Sequence, residues 1–288
     1  MSFVHRGYMP LDYQPVVYPG SVLRFRGPAV DLSRPYILCL GGAETFGRFI
    51  HAPYAEEMSR QLGQQVVNMG VIGAGMDVMM NDGAIQRAMR GASAVVLQVT
   101  GAQNMTNRFY SVHPRRNDRF LKASSILSTI YRDVDFTEFH FTRHLLTHLK
   151  SRSRDRFAIL REELQVAWRA RMAKFLSESS VPVHLLWLSN RLPGEDRAQR
   201  GLGMEPLFLT QAMLDDVAHL ARSVTVAVRP PAASRNPTRG MFFAAREEAA
   251  ARVLPGPEVH RDAARALATH LSADGAMKNP AQANRRGA

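Results

Sequence analysis

Short apolar runs recur along this chain, and each stops at a cluster of small or turn-forming residues. Residues 36–40 (YILCL), 65–69 (QVVNM), 94–99 (AVVLQV), 183–188 (VHLLWL) and 223–228 (SVTVAV) have the length and apolar character of buried parallel strands. Between them lie stretches with helical spacing. Residues 53–62 have Pro53 at a permitted first-turn position and Gly63 just past the end. Residues 76–90 carry Met79, Met80, Ile85 and Met89 among their apolar positions, and residues 155–179 keep Phe157, Leu160, Leu164, Trp168 and Phe175 in step. Further helices are expected over 206–222, 242–253 and 258–271. Strand, glycine-rich turn and helix in repetition predict an α/β fold: three α/β/α layers around a parallel sheet of about five strands.

Three regions depart from this rhythm. Residues 1–35 are rich in Tyr, Pro and Gly and read as an irregular N-terminal arm, with one short edge strand near 22–25. Residues 105–152 read as a helical insertion over the carboxyl edge of the sheet, within one domain spanning 36–271. Its second helix is expected to start at Asp135, with Glu138 reaching back to the cap. From residue 272 the tail is polar and is expected to be disordered.

Composition narrows the function classes. No run approaches the ~20 apolar residues of a membrane span, and the first residues lack the apolar core of a signal peptide. The single cysteine, Cys39, rules out an internal disulfide framework, fits a reducing cytoplasm, and reads as a small buried hydrophobe. A formal net charge of +12 points to anionic partners. The basic runs at 115–116, 152–156 and 285–286 come with no nucleic-acid motif, so a small anionic molecule is the better expectation. His140, His144 and His148 share one helix face, but position 141 is Phe where a zinc helix of HExxH type needs Glu, so no metal or cofactor is assigned. Oligomeric state is left open.

The candidate chemistry sits where the first strand ends, at Gly41-Gly42-Ala43-Glu44-Thr45-Phe46-Gly47. In open α/β sheets, ligands bind at the carboxyl ends of the strands. This stretch resembles the first block of the SGNH (GDSL-type) hydrolases, Gly-Asp-Ser-x-Thr-x-Gly. Gly41, Thr45 and Gly47 fit; Gly42 stands at the family's Asp, and Ala43 at its serine nucleophile. The family's second block supplies a glycine N–H, here at Gly70. Its third supplies an asparagine after the third strand, here Asn104, one residue late. Its last is Asp-x-x-His, here Pro257-Glu258-Val259-His260. The order of the blocks covers about residues 36–270. Residues 104–120 also resemble a bacterial family with no assigned function.

The resemblance implies an SGNH-like, flavodoxin-like frame without serine catalysis. Ala43 has no hydroxyl to attack with, and Pro257 cannot orient His260. What it leaves is an oxyanion-hole remnant of N–H groups at Ala43 and Gly70 with the Asn104 amide, beside Gly42, Glu44 and Thr45. The expected function is binding of an anionic or acylated small molecule, glycan-related among the options, with Arg115 and Arg116 holding the anionic part from a loop above the cleft. The alternative is an esterase or acyltransferase in which His260 or Glu44 acts as base on water. A third reading takes Gly73-x-Gly75-x-x-Val78 as a dinucleotide fingerprint, weakened by Val78 where a small residue is needed. The SGNH reading expects Ala43, Gly70, Asn104 and His260 to converge.

Overall fold

The fold is built on five parallel strands, β1 (Tyr36–Gly41), β2 (Gln65–Gly70), β3 (Ala94–Gln98), β6 (Val183–Ser189) and β7 (Ser223–Val228), in the order β2-β1-β3-β6-β7. The computed structural model describes residues 11–195, 201–229 and 236–273. The strand order is the flavodoxin-like one: the chain steps outward on one side of β1 and then on the other, so a crevice opens between the carboxyl ends of β1 and β3. Side chains alternate across β1. Ile37 and Cys39 face α2 (Tyr54–Leu62) and α10 (Pro257–Ala273), whereas Leu38 and Leu40 join the larger core on the opposite face. Helices cover both faces, as a parallel sheet requires.

The longest helix, α7 (Arg154–Glu178), buries Phe157, Leu160, Leu164, Trp168, Met172 and Phe175 along one stripe. Ser153 caps it, accepting from Arg156 N–H at 3.3 Å. Trp168 Nε1 donates to the carbonyl of Thr100 at 2.9 Å, which ties this helix to the loop after β3. Truncating a fully buried Trp costs about 3–5 kcal/mol, so Trp168→Ala would loosen both core and loop. Pro53 and Gly63 bracket α2 as expected, with Gly63 at φ 62°.

Several expected elements form differently. The helix over 76–90 is two, α3 (Met76–Asn81) and α4 (Gly83–Gly91), because Asp82 turns extended and its carboxylate accepts from the N–H groups of Ala84 and Ile85. The 105–152 region is not wholly helical. It contains an antiparallel hairpin, β4 (Tyr110–His113) with β5 (Arg116–Ala123), then α5 (Ser125–Ile130) and α6 (Thr142–Arg152). Asp135 caps only a single 3-10 turn, Phe136–Glu138. The helix cannot continue there because the next residues pair with β5, through Phe120 N–H to the His140 carbonyl at 3.1 Å and the bridge Arg119↔Phe141.

The expected 206–222 helix is confined to α8 (Gln211–Ala218). Before it, Leu207, Phe208 and Leu209 are buried in non-helical backbone. Arg191, two residues past β6, is buried and donates to the carbonyls of Leu209 at 2.9 Å and Leu192 at 3.2 Å, and also to that of Pro206. The 242–253 segment holds a 3-10 turn, Ala245–Glu247, and α9 (Glu248–Ala251), while Met241 and Phe243 pack on Phe49 and Ile50. In the N-terminal arm the expected edge strand is a single antiparallel bridge, Val16↔Phe25, apart from the sheet. The tail from residue 274 and the Arg285–Arg286 run lie outside the described residues. Among the described residues no helix is long and apolar enough to cross a membrane.

Candidate functional site

A cleft of about 180 Å³ opens at the carboxyl edge of the sheet, over the β1/β3 switch point. Its floor is the turn after β1 (Gly42, Ala43, Glu44) and the end of β3 with the loop that follows (Gln98, Thr100, Gly101, Gln103, Asn104). Gly73 and Ala74, after β2, form one wall, and Glu205 and Pro206 the other.

Gln98 organises the floor. Its Oε1 accepts from Gly42 N–H at 2.9 Å, Thr45 N–H at 3.1 Å and Thr45 Oγ1 at 2.7 Å. Backbone N–H groups are donors only, so this fixes which end of the amide is oxygen. Nε2 then faces Glu44 and donates to its Oε2 at 2.9 Å. Gly41 has no room for a side chain, because a Cβ there would lie 2.1 Å from Thr45 Oγ1 and 2.4 Å from Gln98 Oε1. Glu44 itself is half-buried and opens on the cleft. Burial raises its pKa, the Gln98 hydrogen bond opposes the rise, and the charge of Glu205 adds to it.

Glu205 is held from three sides: Gln103 Nε2 at 3.0 Å, Arg143 Nη1 at 3.0 Å and the N–H of Leu207 at 3.0 Å. Ser189 Oγ anchors its backbone carbonyl at 2.7 Å. Asn104 is fixed by Thr142 Oγ1 donating to its Oδ1 at 2.7 Å.

Of the four residues expected to converge, Ala43 and Asn104 line the cleft, and Gly70 and His260 do not. The N–H of Gly70 donates to Asn68 Oδ1 at 2.9 Å, while Asn68 Nδ2 donates to the Thr45 carbonyl at 2.7 Å. A Cβ on Gly70 would lie 2.3 Å from Phe46 N, so this glycine is where β2 meets α1 (Ala43–Phe46). The Gly70 N–H is therefore committed to Asn68 and is not free to serve as the expected oxyanion donor.

His260 is 1% exposed, stacked on Tyr54 at 6.1 Å between ring centroids, and its Nδ1 accepts from Tyr54 N–H at 3.2 Å. Burial, with a smaller contribution from the charge of Arg26, pushes its pKa down to about 3. Thr45 is buried beneath the floor, bonded to Gln98 and to Tyr54 Oη (3.1 Å). Burial pushes the Cys39 thiol up to about 12.

Arg115 and Arg116 do not line the cleft and are not on an irregular loop: Pro114 and Arg115 form the tight turn of the hairpin, and Arg116 begins β5. Arg116 forks onto Asp118 at 3.2 and 3.1 Å. Asp118 in turn abuts Gly73, so the pair stands at the cleft's rim. The dinucleotide reading meets a filled site. Asn117, fully buried, accepts from the N–H groups of Gly75 (2.9 Å) and Val78 (3.0 Å), where a pyrophosphate would have to sit. Among the described residues no group of three or more His, Cys, Asp or Glu could hold a metal ion.

Residues 1–274 match the family described as Domain of unknown function (DUF6473), and the chain belongs to it. No curated protein matches the chain. Similar solved structures include a lipase from a goat rumen metagenome (13% identity, TM-score 0.36, covering 82% of this chain and 97% of that one). Another is a protein from Lactobacillus plantarum (13% identity, TM-score 0.39, covering 83% and 97%). At TM-scores of this size the likeness bears on neither ligand nor activity.

Proposed function

We propose that this member of the DUF6473 family binds a small acylated molecule at the carboxyl edge of its sheet, on an SGNH-like frame, without serine-based catalysis. One observation carries the reading. At the turn after β1, where the SGNH resemblance places a nucleophile, Ala43 opens on the cleft, and the histidine of the last block is sealed elsewhere. A cleft of about 180 Å³ holds a small molecule or one end of a larger one. An anionic end would lie outside, toward Arg115 and Arg116. The test is activity of the purified protein on p-nitrophenyl acetate together with labelling by a fluorophosphonate. Neither hydrolysis above background nor labelling is expected. A labelled serine or threonine in the cleft would overturn the reading.

A second reading is favoured by the position of Glu44. In it, Glu44 takes a proton from water as the water oxygen bonds to an acyl carbon, and returns that proton to the departing alkoxide. His260 is no candidate for this step, since its Nδ1 lone pair is occupied. Ester hydrolysis lost on Glu44→Gln would favour this second reading over binding alone.

A further inference from the structure

We infer that the cleft's ligand is an uncharged polyhydroxy compound, or its acylated derivative, recognised through its hydroxyl donors. This rests on the reading that the cleft is a small-molecule site. The charged side chains of the lining are acidic. Two carboxyl groups, Glu44 and Glu205, border it, and among the described residues no Lys, Arg or His does. Two more polar atoms on lining residues lack any protein partner, Thr100 Oγ1 and Gln103 Oε1, and both residues are more than nine-tenths buried.

The amide of Gln103 explains why its oxygen is left over. Its Nε2 is committed to both oxygens of Glu205, at 3.0 and 3.1 Å, so Oε1 points away from that carboxylate and asks for a donor. Glu44 gives one oxygen to Gln98 and has acceptor capacity to spare. A buried acceptor without a partner costs about 1–3 kcal/mol, and a ligand that satisfies several at once recovers it. A carboxylate or phosphate brings acceptors only and meets the Glu44 carboxyl with no cation lining the cleft, since Arg143 is already paired with Glu205, and that costs binding. A polyol brings a donor for every hydroxyl. The net charge of +12 therefore does not describe this site: the charged side chains that line the cleft are carboxyl groups, and Arg143 behind one of them is already paired with it.

The test is titration of the full chain, by calorimetry and thermal shift, with glucose and N-acetylglucosamine as polyol probes, and acetate and inorganic phosphate as anion probes. At least one polyol is expected to bind, with both anions at least tenfold weaker. Thr100→Val, which keeps the shape and removes the hydroxyl, and Glu44→Gln, which removes an acceptor oxygen, should each weaken the polyol several-fold. Melting curves and circular dichroism of each variant establish that it is folded. If an anion binds in the cleft more tightly than either polyol, and Glu44→Gln strengthens it, the inference fails while the small-molecule site stands. If polyols bind and neither variant alters their affinity, they bind elsewhere and the inference fails. If neither polyols, anions nor p-nitrophenyl acetate engage the cleft, both readings fail.

Discussion

Glu44 and His260 are both titratable groups pressed toward neutrality by burial, yet they sit in opposite kinds of place. Glu44 ends at an open cleft, with one oxygen held by Gln98. His260 is shut between α2 and α10, stacked on Tyr54. Desolvation raises the proton affinity of the first and lowers that of the second. The two regions are joined by a buried run of hydrogen bonds, Tyr54 Oη to Thr45 Oγ1 to Gln98 to Glu44. A perturbed pKa is thus no sufficient mark of a site: His260 carries the larger perturbation and has no route to a ligand, whereas Glu44 has one.

The comparison breaks most visibly in acid. The folded pKa of His260, about 3, lies below its ordinary value of 6.5. The unfolded chain therefore binds the extra proton first, and stability is lost as pH falls from 6.5 toward 3. At 1.36 kcal/mol per unit, the loss approaches roughly 5 kcal/mol at the bottom of that window. His260→Asn, which keeps an acceptor for the Tyr54 N–H, should flatten the acid limb in urea melts across pH 3.5–7.5. An unchanged slope would show that His260 is not desolvated as its surroundings imply.

Gln98→Leu comes next. It strands the N–H groups of Gly42 and Thr45, the Thr45 hydroxyl and one Glu44 oxygen, some of which water can reach through the cleft. The expected cost is about 2–4 kcal/mol, given 1–3 per buried orphan, read as a lower midpoint in chemical denaturation. A change under ~0.5 kcal/mol would mean that the floor reorganises freely and Glu44 is not positioned by it.

Glu44→Gln should be smaller and opposite in sign to the histidine effect. A folded pKa raised above the unfolded one gives stability that is present below the ordinary carboxylate range and is lost as pH rises through the folded value. The variant should therefore gain on wild type as pH increases, in melts followed from pH 4 to 8. A stability difference between the two that stays constant with pH would place Glu44 in a well-solvated setting.

The frame was legible because short, near-continuous apolar runs are what a parallel sheet buried on both faces demands, and all five expected strands form, their ends shifted by no more than a residue. Helices over 76–90 and 206–222 were overextended because side-chain caps at Asp82 and Thr210 start helices inside them. The hairpin was missed: a run such as Arg116–Ala123 has few apolar positions, and its pairing partner is decided by the turn. At the site, Gly42, Ala43, Glu44 and Asn104 could be read from strand ends. Gln98 left a faint signal, a lone amide inside the run AVVLQV, since a buried amide must find partners. Glu205 left none. It reaches the cleft only because Arg191 and Ser189 shape a non-helical loop from a distant stretch of chain.

The smallest effect separates the cleft from its rim. Arg116 and Asp118 form an ion pair with side chains 47% and 26% exposed, so Arg116→Ala should change stability by under ~1 kcal/mol. Its effect on binding depends on what the cleft recognises. Removing the guanidinium leaves the Asp118 carboxylate uncompensated beside Gly73, which makes the mouth of an already acidic cleft more negative. A neutral polyol should bind as before, within about twofold, since it carries no charge for that field to act on. A cationic analogue, glucosamine, should bind about two- to threefold more tightly at low salt and lose the gain at 0.5 M salt, where screening is shorter-ranged than the cleft mouth. Calorimetry on wild type and variant at two salt concentrations reads both. Equal glucosamine affinities at low salt would place the Arg116–Asp118 pair too far out to touch the ligand. Weaker binding of the neutral sugar would instead make Arg116 a direct contact, and would extend the site from the cleft onto the hairpin.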